Sequence, residues 1–179
     1  MMMRKIVLTG PESSGKTVLT QQLANHFQAD WLPEYARFFL ENLNRPYLEA
    51  DLIDIARGQL QREIEKAQAK PPLLFCDTSL LVIHVWGLYK YGRSHPWIKQ
   101  QLLKNPAHLY LLCSPDLPWE ADPLREHADI IHREALFALY QTALDQLHLP
   151  YAIIAGQGPQ RLAKAIAIVE EDKTMTIKM

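Results

Sequence analysis

Eight consecutive residues near the beginning of the chain have types and spacing suited to binding a phosphate chain: Gly10-Pro11-Glu12-Ser13-Ser14-Gly15-Lys16-Thr17. Phosphate oxygens need several backbone N–H donors that point inward, and glycines let the loop turn without side-chain obstruction. The helix expected next presents its N-terminus to the anion. Lys16 supplies a positive charge for the β- and γ-phosphates, and Thr17 supplies a hydroxyl to Mg²⁺. The sequence therefore predicts a P-loop, extending through Val18, that binds ATP and Mg²⁺.

Asp77 is the second candidate, because it closes the apolar run at residues 73–76. An acidic residue at the end of a strand beside a P-loop can hold Mg²⁺ directly or through water. It can equally accept the proton of an acceptor hydroxyl. The alternative is structural: Asp77, Thr78 and Ser79 are all residue types that cap the N-terminus of a helix.

The segment Glu34-Tyr35-Ala36-Arg37 follows the second apolar run and is predicted to face the acceptor across the P-loop. Its carboxylate can bond sugar hydroxyls or accept the acceptor proton, and its arginine can neutralise phosphate charge. The alternative is the charged start of an ordinary surface helix. Trp86 and Tyr89 could stack on a flat heterocycle, although core packing would also explain them.

Two further segments could complete the site. Residues 115–133, called here the lid segment, are polar and without clear periodicity, and they carry Arg125 and Arg133. A lid of this kind would exclude water and bring the two arginines over the transferred phosphoryl group. The alternative is a solvated loop with ordinary arginines. Gly156 and Gly158, after the last apolar run, could line the adenine pocket or could form a simple turn.

These residues need a scaffold, and the alternation of short apolar runs with helical periodicity predicts an α/β fold with five parallel strands. The predicted strands are residues 5–9, 30–33, 73–76, 108–113 and 151–155. The predicted helices are residues 16–27, 50–69, 79–91, 134–148 and 159–171. Ligands bind such sheets at the carboxyl ends of the strands. The candidates described above all fall there.

Composition limits the class of protein. The 179 residues are 48% hydrophobic and 22% charged, with a formal net charge of -1, so we expect a single domain over residues 1–179 and no nucleic-acid polymer as partner. Cys76 and Cys113 lie in apolar runs and are expected to be buried free thiols. The apolar run at residues 6–8 is too short for a signal peptide or a membrane span, so we expect a cytoplasmic protein without a membrane partner. Nothing in the sequence indicates an oligomeric state.

The motifs together resemble the kinase domain of NadR-type ribosylnicotinamide kinases, without the adenylyltransferase domain of that family. The resemblance rests on the P-loop string, the Glu34–Arg37 string, residues 51–59, Cys76-Asp77-Thr78 and residues 118–125, in that order along nearly the whole chain. It implies a three-layer P-loop NTPase fold with strand order 2-3-1-4-5. It also implies transfer of the ATP γ-phosphoryl group to the 5′-hydroxyl of nicotinamide riboside. Pro123 departs from the family's lid, where glycine is expected.

Three functional hypotheses follow. The first is a small-molecule kinase acting on nicotinamide riboside, and the second is a kinase of another nucleoside or sugar. The third belongs to another class: an NTP-dependent regulatory switch or binding module, which would hydrolyse ATP slowly without stimulation by an acceptor.

Overall fold

A computed structural model describes residues 3–177, with side chains through residue 172. The strands are β1 Arg4–Thr9, β2 Asp30–Leu32, β3 Leu73–Asp77, β4 Leu109–Cys113 and β5 Tyr151–Ile154. The helices are α1 Lys16–Phe27, α2 Tyr35–Glu41, α3 Asp51–Gln68, α4 Leu80–Tyr91, α5 Pro96–Lys104, α6 Ile130–Gln146 and α7 Gly158–Ile177.

The strands form one parallel sheet in the order β2-β3-β1-β4-β5, which confirms the α/β class and the strand order. β1 lies at the centre, with Leu8 paired to Asp77 on one side and to Leu111 on the other. Five of its six residues are buried, as expected for a parallel strand covered on both faces. This register brings the carboxyl ends of β1 and β3 together, and therefore the P-loop beside Asp77.

Helices cover both faces of the sheet. On one face, Val7 and Leu74 contribute to a core that includes α2, α3, α4, α5 and α6. On the other face, Ile6 and Leu8 pack with α1 and α7. Alternate residues of β1 thus serve opposite cores, which fixes the strand's register and the starting point of the P-loop.

The helices differ from the prediction by more than two residues at four places, one of which is the end of α7, at Ile177 instead of residue 171. The segment after β2 begins a helix, α2, at Tyr35, and Glu34 is its N-cap residue. α5 was not predicted from the sequence; its N-cap is His95, whose Nδ1 accepts from the Trp97 N–H. α6 begins at Ile130 instead of residue 134, because the Asp129 carboxylate caps it by accepting the Ile131 N–H.

Within the part of the chain that the structure describes, no helix has the length and apolar character needed to cross a membrane.

Candidate active site

The P-loop joins β1 to α1 through backbone conformations that require glycine. Gly10 has φ +131°, and a Cβ there would lie 2.6 Å from the carbonyl oxygen of Cys113 at the end of β4. Gly15, the N-cap of α1, has φ +72°. The Lys16 ammonium donates to the Pro11 carbonyl at 2.6 Å, so it lies across the loop. The two glycines that define the motif thus both have positive φ, a backbone conformation that glycine adopts without strain.

Two buried arginines hold three successive carbonyl groups of the P-loop. Arg133 donates to the carbonyls of Glu12 and Ser13, both at 3.3 Å. Arg161, from α7, donates to the Ser14 carbonyl at 2.7 Å. These contacts fix the loop's backbone before any phosphate is bound, which is the preorganisation that anion binding requires.

Arg133 is therefore not the mobile lid arginine that the sequence predicted. It lies in the first turn of α6, is 3% exposed, and also donates to the carbonyls of Pro115 and Leu117. Burial, followed by the nearby charge of Arg125, lowers its pKa. Its guanidinium thus joins backbone carbonyls of the P-loop to those at the beginning of the lid segment, which supports the P-loop.

Thr17 and Asp77 form the candidate magnesium site. The Thr17 hydroxyl donates to Asp77 Oδ2 at 2.6 Å. Asp77 Oδ1 is buried and has no hydrogen-bond partner among the described residues. Burial raises the pKa of Asp77, opposed by its hydrogen bond with Thr17 and the charge of Lys16. A hydroxyl beside a carboxylate with a free oxygen fits a hard cation that also takes oxygens from phosphate and water. Asp77 does not cap α4, because Ser79 does so by accepting the Leu81 N–H.

Glu34 lies across from this pair at the N-cap of α2. Its side chain makes no capping hydrogen bond within the described chain and instead accepts the Thr78 hydroxyl at 3.3 Å. Its pKa is raised, first by burial and then by the charge of Asp77, while Lys16 and Arg37 act in the opposite direction. The charge of Lys16 therefore acts on two carboxylates whose pKa values are raised.

A cavity of about 410 Å³ is lined by Lys16, Thr17 and Glu34, whereas Asp77, bonded to Thr17, does not line it. Of the residues predicted from the sequence, those that line it are Gly10, Pro11, Glu12, Ser13, Ser14, Gly15, Lys16, Thr17, Val18, Glu34, Arg37, Trp86, Arg125 and Gly158. Its remaining wall includes apolar side chains of α2, α4 and α6, among them Leu40, Val82 and Leu136. The cavity thus has a polar end at the P-loop and an apolar wall around Trp86.

Three other predicted residues point elsewhere. The Tyr35 ring packs on α3, where a Cβ on Gly58 would lie 2.0 Å from it. Tyr89 meets the His127 ring edge-on, with centroids 5.2 Å apart. Gly156 donates its N–H to Asp116 Oδ2 at 2.6 Å, which closes a turn beside the cavity. The structure therefore gives these three residues packing and turn contacts instead of places on the cavity wall.

The lid segment is docked on the P-loop. The Glu12 carboxylate accepts the N–H of Glu126 at 3.0 and 3.1 Å and that of His127 at 2.9 Å. The Ser13 hydroxyl accepts from Arg125 at 2.9 Å and from the Glu120 N–H at 3.2 Å. The side chains of two P-loop residues therefore hold the segment that covers the loop.

The same segment is also held by α2 and α4. Arg37 of α2 pairs with Asp122 at 2.8 Å, and this contact raises the pKa of Arg37. Lys90 of α4 pairs with Glu126 at 3.0 Å, and the Tyr47 hydroxyl donates to the same carboxylate at 2.9 Å. The lid segment thus bridges the cavity from the P-loop to both helices of the opposite wall.

Sequence reasoning missed Arg161 and the lid-binding role of Glu12. Arg161 also pairs with Asp116 at 2.9 Å and donates to the Gly156 carbonyl, which ties the P-loop to the loop after β5. An arginine one turn into a helix carries no local signal of such contacts. Glu12 was assigned to the P-loop, but its carboxylate had no predicted partner.

A P-loop at the carboxyl edge of a parallel sheet, beside an aspartate and under an arginine-bearing lid, defines a nucleotide-binding P-loop protein. The chain belongs to the AAA domain family AAA_28, whose model matches residues 5–161.

Curated and solved relatives agree with this assignment. The trifunctional NAD biosynthesis/regulator protein NadR of Salmonella typhimurium is 25% identical over 175 residues, and that of Escherichia coli is 24% identical; both alignments cover 94% of this chain. The chain spans 42% of the length of these relatives. A crystal structure of NadR protein in complex with NR superposes with a TM-score of 0.79 at 21% identity, over 95% of this chain and 51% of that one. Thymidylate kinase from Ehrlichia chaffeensis has a TM-score of 0.68 at 12% identity, over 94% of this chain and 100% of that one. The resemblance to NadR-type proteins is thereby confirmed.

Proposed function

We propose that this protein is an ATP-dependent kinase that phosphorylates the 5′-hydroxyl of nicotinamide riboside to give nicotinamide mononucleotide. The observation that carries the proposal is the Glu34 carboxylate on the wall of a cavity that Lys16 and Thr17 also line, with Asp77 bonded to Thr17. The similarity to NadR, for which one crystal structure contains NR and another contains NAD and AMP-PNP, supports this choice of substrates.

The two carboxylates have different surroundings, which supports different roles. Asp77 is 3% exposed and bonded to Thr17, so Thr17 and Asp77 are the residues that would hold Mg²⁺. When bound, Mg²⁺ neutralises charge on the phosphates. Glu34 lines the cavity itself, and its raised pKa makes it a stronger base than an ordinary glutamate. We therefore propose that Glu34 is the base that accepts the proton of the acceptor hydroxyl.

Phosphoryl transfer through a loose transition state depends mainly on position and charge. Lys16 and the P-loop amides bind the phosphates, and Arg125, held against Ser13, is the lid arginine in contact with the cavity. Trp86 provides a flat surface for the acceptor's heterocycle. The docked lid segment keeps water from the γ-phosphate, which favours transfer over hydrolysis.

Lys16, Thr17, Glu34, Trp86 and Arg125 line one cavity, and Asp77 is bonded to Thr17, so we propose a single catalytic domain over residues 1–179. Cys76 and Cys113 are both buried and unbridged, which supports a reducing compartment. We accordingly place the activity in the cytoplasm.

The decisive experiment measures ADP and phosphorylated product across a panel of nucleosides and sugars that includes nicotinamide riboside, with ATP and Mg²⁺. We expect stoichiometric nicotinamide mononucleotide, and loss of turnover in Lys16→Ala. The matched control is Lys99→Ala, which removes an exposed lysine of α5. Preference for another acceptor would reassign the substrate. ADP formation without any phosphorylated acceptor would favour the regulatory switch, and near-normal turnover in Lys16→Ala would refute the mechanism.

A further inference from the structure

A buried polar network connects the centre of the sheet to the first residue of α2. The network consists of three buried residues: Lys5 of β1 is 8% exposed, and Glu63 and Gln59 of α3 are 5% and 2% exposed. The Lys5 ammonium donates to Glu63 Oε2 at 2.8 Å, and Gln59 Nε2 donates to Glu63 Oε1 at 3.0 Å. Gln59 Oε1 then accepts the N–H of Tyr35 at 3.1 Å. Charged and amide groups at this depth are costly unless every polar atom is engaged, so this network has a defined arrangement.

The network has a fixed direction. A carboxylate can only accept hydrogen bonds, so Glu63 takes donors from both Lys5 and Gln59. The amide of Gln59 must then turn its NH₂ group toward Glu63 and its oxygen toward Tyr35. Lys5 is fixed in turn by a second donation, to the Asn105 carbonyl at 2.8 Å. The ion pair therefore determines which atom of Gln59 faces α2.

The acceptor atom of Gln59 replaces part of a helix cap. The first N–H groups of a helix have no partner within the helix and are usually satisfied by water or by a capping side chain. At α2 the N-cap residue is Glu34, whose side chain does not cap. Gln59 instead anchors the N–H of Tyr35, the residue next to Glu34, while the Glu34 carboxylate lines the cavity and accepts from Thr78.

Packing restrains the same residue. The Tyr35 ring occupies the space above Gly58, adjacent in sequence to Gln59, so that a Cβ at residue 58 would overlap it at 2.0 Å. The guanidinium of Arg62, one turn further along α3, lies 4.7 Å from the centre of that ring. α3 therefore holds both the backbone and the side chain of Tyr35, the residue that follows Glu34 in the sequence.

We propose that Gln59, oriented by Glu63 and Lys5, is a positioning residue that places the Glu34 carboxylate in the catalytic cavity. The inference rests on the proposed function in that Glu34 is taken as the group that receives the acceptor's proton. Gln59 itself touches neither substrate, and it acts through the backbone of Tyr35.

The test uses a loss variant and a charge-conserving exchange. Gln59→Met keeps the length of the side chain but removes the acceptor oxygen. The double variant Gln59→Glu/Glu63→Gln exchanges the two side chains: a carboxylate at position 59 accepts the Tyr35 N–H, and an amide at position 63 can donate to it while accepting from Lys5. One readout is the titration of the Glu34 carboxyl carbon by NMR, with its signal assigned through Glu34→Gln. The other is kcat and KM for ATP and for nicotinamide riboside.

We expect Gln59→Met to lower kcat about tenfold, within the ~100-fold that a misplacement of 1 Å can cause, with little change in KM for ATP. The same substitution in a Glu34→Gln background should cost less than about twofold, because two residues that act as one unit are not additive. The titration midpoint of Glu34 should fall toward that of an ordinary glutamate in Gln59→Met. The exchange variant should recover most of both effects.

Two results would overturn the inference: an unchanged Glu34 titration midpoint in Gln59→Met, or an equal loss of kcat with and without Glu34. If Gln59→Met does not fold, Gln59→Glu alone is compared with the exchange variant, and failure of the exchange to restore the Glu34 titration midpoint would contradict the inference. If the wild-type protein does not phosphorylate nicotinamide riboside, the proposed function fails, while the titration still decides whether Gln59 positions Glu34.

Discussion

Removing the Glu12 carboxylate should release the lid segment from the P-loop. That carboxylate is the acceptor for two backbone donors, the N–H groups of Glu126 and His127. Glu12→Ala leaves both donors without this partner, and Glu12→Gln keeps one acceptor oxygen but loses the charge. The lid segment retains its contacts through Ser13 and Arg37, so the change affects docking at one end of the segment.

The magnitude follows from the number of donors. Hydrogen bonds to charged groups contribute about 1.5–3 kcal/mol when buried, and we take about 1 kcal/mol for each donor at this partly solvated site. Loss of both donors in Glu12→Ala is then about 2 kcal/mol, which corresponds to a factor of about 30 in the docking equilibrium. Glu12→Gln should lose about half of that free energy, or a factor of about 5.

Hydrogen exchange of the two amides measures this equilibrium directly, because protection reflects the free energy of local opening. We expect exchange at Glu126 and His127 to quicken by about 5-fold in Glu12→Gln and about 30-fold in Glu12→Ala. ATP hydrolysis without product should rise in the same order, because an open lid admits water. Glu134→Ala, at an exposed position of α6, is the control. Protection in Glu12→Ala within about twofold of wild type would refute the docking role.

Three other predictions concern the carboxylates and the P-loop glycine. Asp77→Asn should lower kcat by about 100-fold or more with little loss of nucleotide affinity in a binding titration. Because its folded-state pKa is raised, charged Asp77 costs stability above that pKa, so the variant should also resist urea better at pH 7. The value of kcat/KM should fall as pH drops through a midpoint above that of ordinary glutamate, and Glu34→Gln should remove this limb of the profile. Gly10→Ala should cost about 2–4 kcal/mol in urea unfolding, from the contact with Cys113 and the positive φ. Gly92→Ala, with φ +67° and open space around it, should cost about 1 kcal/mol.

The parts of the fold that local pattern specifies were predictable. α1 has the predicted bounds, because the P-loop fixes its start and four-residue apolar spacing marks its buried face. β3 and β4 were found as short apolar runs, since both their faces are covered. α2 lacks a capping side chain at Glu34 and α5 is capped by a histidine, so neither start carries the usual Ser, Thr, Asp or Asn signal. The strand order came from family resemblance, because pattern alone does not say which strands pair.

The candidate site likewise contains residues whose position local sequence pattern predicts and residues whose position it does not. Lys16 and Thr17 are specified by spacing within one loop, so their place in the cavity could be predicted. The partners of Glu12 lie 114 and 115 residues away in sequence, and no local pattern reports such contacts. Arg133 was assigned to the lid because the Asp129 cap was not recognised, which moved the start of α6 by one turn. Errors in the site therefore arose where long-range side-chain contacts or helix caps decide the structure.

The two arginines that hold the P-loop also set when it can first bind nucleotide during synthesis. Ser14 and Arg161 are 147 residues apart, and Ser13 and Arg133 are 120 apart. At about 5–20 residues per second, a ribosome needs about 7–30 s after making Ser14 before Arg161 is added. Nucleotide can therefore stabilise the nascent chain only after Arg161 has been added, when all five strands of the sheet have already been made.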